Sequence, residues 1–313
     1  MVPEATFTSY YGRPVVKASP WALDVPAYLF LGGLAAGSSL LGAGADVTDR
    51  PTLRRSGRLG GLIGITLSLI ALVHDLGRPA RFAHMLRVAK PTSPMSVGTW
   101  ILALYGPMAA LAGAAELTCA LPDRLGWLRR LLVIAGRPAG FAAAVTAPGV
   151  AAYTAVLLSD TATPSWHEAH RELPFVFVGS AASASGGLGM LSCSLADVTP
   201  ARRIALAGAA LELAAERRME TSMGLTAEPL HQGAAGRLMR ASKALTLFGG
   251  AASLFAGRSR IAGAAAGSAL LAGSACLRFG VFEAGQNSAR DPKYTVVPQR
   301  ERLARRERSA RDA

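Results

Sequence analysis

The densest chemistry in the sequence lies in the run HDLGRPARFAH, where His74, Asp75, Arg78, Arg81 and His84 fall within about three helical turns. An imidazole beside a carboxylate offers a base and a proton carrier, and two guanidiniums add fixed positive charge and donors. Together they suit an oxygen-rich ligand that exchanges protons. A solvated loop at a membrane surface, with Asp75 paired to Arg78, requires the same residues. Asp24 and Tyr28 are spaced i, i+4 and share a helix face. An acid inside an apolar segment is a functional candidate because burying it is costly. Tyr153 closes another apolar segment, where a phenol serves either as an interfacial belt residue or as a donor to a carbonyl.

Other polar groups carry less. His167 and His170 in WHEAHRE are spaced i, i+3 with neither an HExxH pattern nor a third ligand, so a polar loop is the better reading. Cys119, Cys193 and Cys276 are far apart and form no CxxC pair, so neither a zinc site nor an iron–sulfur cluster is expected in this chain. None of the five histidines lies mid-segment, which argues against a haem held between facing helices. Glu212, Glu216 and Lys243 suit either structural ion pairs or a proton path.

The elements that must position these groups are membrane helices. The chain of 313 residues is 51% hydrophobic and only 17% charged, against about 25% charged in ordinary soluble domains. A span takes ~20 mostly apolar residues, and about eight such blocks occur: Trp21–Ala45, Gly57–Leu76, Met95–Leu117, Leu131–Leu158, Leu173–Leu195, Ala201–Ala215, Ala241–Gly257 and Ile261–Phe282. The expectation is an all-α, multi-pass integral membrane bundle over residues 1–285, followed by a charged tail over 286–313, surface-bound or disordered. The polar opening, MVPEATFTSYYGRPVVKASP, does not read as a signal peptide. Gly33 with Gly37, Gly60 with Gly64, Gly136 with Gly140 and Gly263 with Gly267 provide small-xxx-small contacts for close helix packing.

The net charge of +13 does not point to nucleic acid. Its arginines sit in short clusters between apolar blocks, such as Arg54, Arg55 and Arg58, as loops at lipid surfaces do. An even number of spans places both termini, the Asp75–Pro94 connection and the Ser159–Glu172 connection on one side. The Lys and Arg balance between the two sides reverses when the tail and the Asp75–Pro94 loop are left out, so charge does not fix the orientation.

Several islands in order along the chain resemble the membrane subunit of polysulfide reductase and its NrfD-like relatives: YLFLGGLAAGS, HDLGRPARFAHML, KPTSPMSVGTWIL, AYTAVL, LPFVFVGSAASA and SARDP. The resemblance implies an eight-helix anchor in the bacterial cytoplasmic membrane that holds no haem or metal. It binds a quinone, with menaquinone the expected form, near one surface. It also implies a docked four-cluster ferredoxin-like iron–sulfur subunit and, through it, a catalytic subunit of the molybdopterin type. On this reading the chain is not catalytic alone but is the quinone-reactive part of a respiratory oxidoreductase. Tyr153 looks like the family tyrosine that bonds a quinone carbonyl, and Asp24, His74, Asp75 and Arg78 match the polar wall of that pocket. His74 and Asp75 are the candidates for proton transfer; Tyr28, Arg81, Ser93, Met95, Ser96 and Trp100 complete the candidate quinone-binding set. A secondary transporter or proton-conducting protein is the alternative, but it calls for broken helices around a midplane site, whereas most charges here sit at span ends.

Overall fold

The computed structural model describes residues 13–118, 122 and 125–311, so Cys119 lies outside the described residues. Nine long helices account for most of the chain: α1 (Asp24–Val47), α2 (Pro51–Asp75), α3 (Pro94–Glu116), α4 (Gly126–Ser159), α5 (Leu173–Ser192), α6 (Thr199–Ser222), α7 (Gly233–Ser253), α8 (Arg260–Arg290) and α9 (Lys293–Arg311). No strand occurs among the described residues. Proline opens α2, α3, α5 and α6 within their first two positions, where the missing N–H costs nothing. Ser93 precedes α3 at the N-cap position but makes no capping bond through its side chain.

The first eight helices form two rings of four. In one, α1 packs on α2, α2 on α3, α3 on α4 and α4 back on α1; the second repeats this with α5, α6, α7 and α8. The rings join along α1 and α5, with α4 and α8 packed beside that seam. Small residues allow the close approach: a Cβ on Gly37 of α1 would lie 2.5 Å from Ser185 Oγ of α5, and one on Gly267 of α8 would lie 2.4 Å from Gly187 O. Without a hydrophobic drive between helices in lipid, backbone proximity of this kind holds the bundle together.

Six helices, α1 to α5 and α8, are long and apolar enough to cross a membrane. Large apolar side chains such as Ile63, Ile70, Leu104, Ile134 and Val145 point outward from them, as a lipid-facing surface requires. The chain is therefore an all-α, multi-pass membrane protein. The other two helices of the second ring, α6 and α7, have the length of spans but carry Arg217, Arg218, Arg237 and Arg240 on their exposed faces at one end. Against the eight spans expected from sequence, eight helices form the bundle and six of them are long and apolar enough to cross a membrane.

That end of the bundle is also where the chain ends gather. Gln286 Nε2 donates to Ser19 O at 3.0 Å, and Trp21 stacks on Trp166 at 5.9 Å between ring centroids. Trp166, read from sequence as part of a polar loop, is buried; its indole N–H donates to Val281 O at 2.8 Å, and Gly285 leaves room for its ring. The tail is helical: Lys293 Nζ donates to Glu228 Oε2 at 2.6 Å and Tyr294 to the same oxygen at 3.2 Å, beyond which residues 299–310 of α9 are exposed. At the opposite end Arg58 belongs to α2 rather than to a loop, and it is buried between Asp46 at 3.1 Å and Glu116 at 2.9 Å.

Candidate functional site

Tyr153 occupies the last third of α4 and turns inward, 8% exposed. On the α3 side its ring fills the space a side chain at position 98 would take: a Cβ on Gly98 would lie 1.7 Å from Tyr153 Cζ and 2.1 Å from its hydroxyl. On the other side lies the side chain of Tyr28, buried one turn into α1. The phenol is thus held between two helices by a glycine and a second phenol, a placement that fixes its direction.

Tyr153 lines a cavity of about 640 Å³ between α3 and α4 at the Trp166 end of the bundle. Pro94, Val97 and Ile101 form one wall and Gly149 and Val156 the other, while Asp160, His167 and His170 add polar groups. His167 Nδ1 lies 3.2 Å from Ser159 O and His170 Nδ1 lies 3.0 Å from His167 O, with the two rings stacked at 6.0 Å. Each imidazole is therefore oriented by a backbone carbonyl through Nδ1. A largely apolar pocket of this size with a few placed polar groups fits a flat ring carrying carbonyl or hydroxyl oxygens.

Of the site residues expected from sequence only Tyr153 lines this cavity, and the others divide into two groups away from its walls. Asp24 and His74 do meet: His74 Nδ1 is 3.0 Å from Asp24 Oδ2, joining the start of α1 to the end of α2, with the imidazole 77% exposed. Asp75 accepts from the Ala22 N–H at 3.2 Å and so ties the chain entering α1. It makes no ion pair with Arg78 among the described residues, contrary to the interfacial pair considered from sequence. Arg78 and Arg81 are exposed. Ser96 and Trp100 anchor the preceding loop: Ser96 Oγ donates to Val88 O at 2.8 Å and accepts from the Lys90 N–H at 2.9 Å, and Trp100 Nε1 donates to Val88 O at 3.1 Å. Ser93 precedes α3 at its N-cap position, and Met95 is exposed in its first turn.

Three residues around Tyr153 carry no signal of a site in the sequence. His167 and His170 have the spacing of a polar loop. Gly98 was one of 34 glycines, and only the facing ring distinguishes it. Among the described residues no group of three or more His, Cys, Asp or Glu side chains is arranged to hold a metal ion. None of the curated proteins matches the chain. The family described as polysulphide reductase, NrfD matches residues 15–203, which include α1 to α5, the paired tyrosines and every residue lining the cavity. The chain belongs to the polysulphide reductase NrfD family.

Proposed function

We propose that this chain is the quinone-reactive subunit of a respiratory complex and that the quinone head group binds in the cavity lined by Tyr153. Membership of the NrfD family makes it a membrane subunit of the kind that serves quinone-linked oxidoreductase complexes. The observation that carries the site is the phenol of Tyr153, wedged against Gly98 and Tyr28 at the wall of an apolar cavity of about 640 Å³. A bound quinone supplies two-electron, two-proton chemistry; the protein supplies position and proton contacts.

Tyr153 is the donor to a carbonyl oxygen, with its direction set by the neighbours described above. His167 and His170, whose Nδ1 atoms face backbone carbonyls, line the same pocket and supply its second polar contact. Val97, Ile101 and Val156 give the head group an apolar wall to lie against. The Asp24–His74 pair, exposed on the same end of the bundle, exchanges protons with water and reaches the pocket through Tyr28, four residues along α1. Arg78 and Arg81 add positive charge to the surface at which a ferredoxin-like iron–sulfur subunit docks, with a molybdopterin-type catalytic subunit beyond it. Menaquinone and the bacterial cytoplasmic membrane complete this reading.

The test is Tyr153→Phe in the assembled complex. The ring stays and one hydrogen bond goes, so quinone affinity should fall by ~0.5–1.5 kcal/mol, roughly 2- to 12-fold. Unchanged affinity together with unchanged quinone-linked electron transfer would refute the site and leave a membrane anchor.

A further inference from the structure

The second ring holds charge where an apolar core belongs. Glu212 is 0% exposed, Glu216 1% and Arg278 0%, and all three lie beyond the part of the chain matched by the family. Glu212 accepts from Thr246 Oγ1 of α7 at 3.0 Å and from Ser183 Oγ of α5 at 3.2 Å. Both carboxylate oxygens of Glu216 lack a hydrogen-bond partner among the described residues. The nearest cation is Lys243 of α7, with Nζ 3.7 Å from Glu216 and 3.4 Å from Glu220. Arg278 of α8 donates to Phe177 O at 2.8 Å and stacks over the Phe177 ring, while Nε and Nη1 are without partners.

These groups form a ladder. Glu212, Glu216 and Glu220 are spaced four apart on one face of α6, a rise of about 6 Å per step. Exposure falls along it: the Lys243 side chain is 41% exposed and Glu220 19%, whereas Glu216 and Glu212 are closed off. The charged and titratable groups around the buried pair are Glu220 on the same helix, Lys243 from α7 and Arg278 from α8; α5 contributes the hydroxyls of Ser180 and Ser183. A set of structural ion pairs would place Arg278 on Glu212 and saturate both oxygens of Glu216. Instead Glu212 is met by hydroxyls, which can both donate and accept and so serve a carboxyl in either protonation state. The guanidinium turns to α1, where a Cβ on Gly33 would lie 3.5 Å from Nη2.

We propose that Glu216 and Glu212 are a proton-uptake path that enters the second ring at the Lys243–Glu220 edge and ends beside Arg278. A proton from water forms an O–H bond on Glu216, converting carboxylate to carboxylic acid. It then passes to Glu212 as Glu216 returns to carboxylate, and no electron is involved. Lys243 lowers the cost of leaving Glu216 charged between transfers, and Arg278 places a fixed charge at the inner end, against the helix that carries Tyr28. The path stands independently of quinone binding.

Infrared spectroscopy of the full chain in lipid nanodiscs, titrated between about pH 5 and 9, the span in which buried acids titrate, tests this. The wild type should show a protonated-carboxyl band that shifts within minutes of transfer to deuterated water. The band should be lost in Glu216→Gln or Glu212→Gln, each isosteric with the native side chain. A spectrum in which neither substitution removes a carboxyl band at any pH would show permanently ionised structural groups and overturn the proposal. So would a band that resists deuteration for hours, since it would mark a sealed carboxyl; that reading comes from the wild type alone and stands even if a variant fails to fold.

Discussion

Gly98→Ala probes the geometry of the cavity more sharply than any change to Tyr153 itself. The added methyl would lie 1.7 Å from Cζ of Tyr153, whereas non-bonded carbons settle at about 3.5–4.0 Å. Either α3 and α4 separate or the ring swings into the cavity, a displacement of about 2 Å. Overpacking of this kind costs ~1–3 kcal/mol, while Ala in place of Gly inside a helix contributes about 1 kcal/mol in the other direction. With Tyr153→Ala in place the clash disappears, so Gly98→Ala should then stabilise the protein by up to ~1 kcal/mol. Gly98→Ala is therefore destabilising by up to ~2 kcal/mol with the ring present and stabilising by up to ~1 kcal/mol without it, a coupling of roughly 1–3 kcal/mol. Denaturant unfolding of the four proteins in detergent micelles measures that cycle. Quinone binding gives an independent reading: Gly98→Ala should weaken affinity at least as much as Tyr153→Phe. If Gly98→Ala has the same effect with and without the ring, the two residues do not share this space and the positioning of the phenol by α3 is wrong.

Three further outcomes follow from the same geometry. Asp75→Asn keeps an oxygen for the Ala22 N–H, so stability should change by less than about 0.5 kcal/mol, while quinone-linked turnover falls by ~10²-fold or more if the carboxylate moves protons; an unchanged rate would reduce Asp75 to a tether for α1. Lys293 holds the Glu228 carboxyl below its usual range, and Glu228 in turn raises the Lys293 ammonium. The contribution of Glu228 is thus present above the ordinary carboxylate range and lost as pH falls through its lowered value, and that of Lys293 is lost as pH rises through its raised one. Hydrogen exchange over 293–298 should show the start of α9 docked between these limits and loosened outside them; exchange independent of pH would show that the pair does not hold it. Reporter fusions after Ser56 and after Lys90 should give opposite signals because α2 crosses between them, and equal signals would remove α2 from the spans.

The sequence by itself determined the class of molecule. Apolar blocks of about 20 residues separated by arginine clusters can satisfy their backbone only as helices in lipid, and their lengths placed α1 to α5 and α8, although α2 begins at Pro51 instead of Gly57 and α8 runs on to Arg290 instead of ending at Phe282. It also determined that Tyr153, Asp24, His74 and Asp75 belong to one surface, since that follows from counting spans. The Asp24–His74 contact itself is a finding of the structure, made possible because both residues lie at helix ends that a short loop connects through the far side.

Tertiary structure alone decided which of these groups share a cavity. Tyr153 faces Gly98 and Gly149 faces Ile101 across α3 and α4, and no periodicity in either segment announces which large side chain will meet which glycine. His167 and His170 join the cavity because Trp166 is pinned between Trp21 and Phe282, which rotates the following turn against α4. Sequence shows a polar loop there, and its direction is a property of packing. The same holds for α6: its glutamates make the helix look poorly suited to a membrane when read in isolation. Only the ring formed with α5, α7 and α8 supplies the hydroxyls and cations that make a buried carboxylate tolerable, because the cost of burying charge depends on what surrounds it in three dimensions.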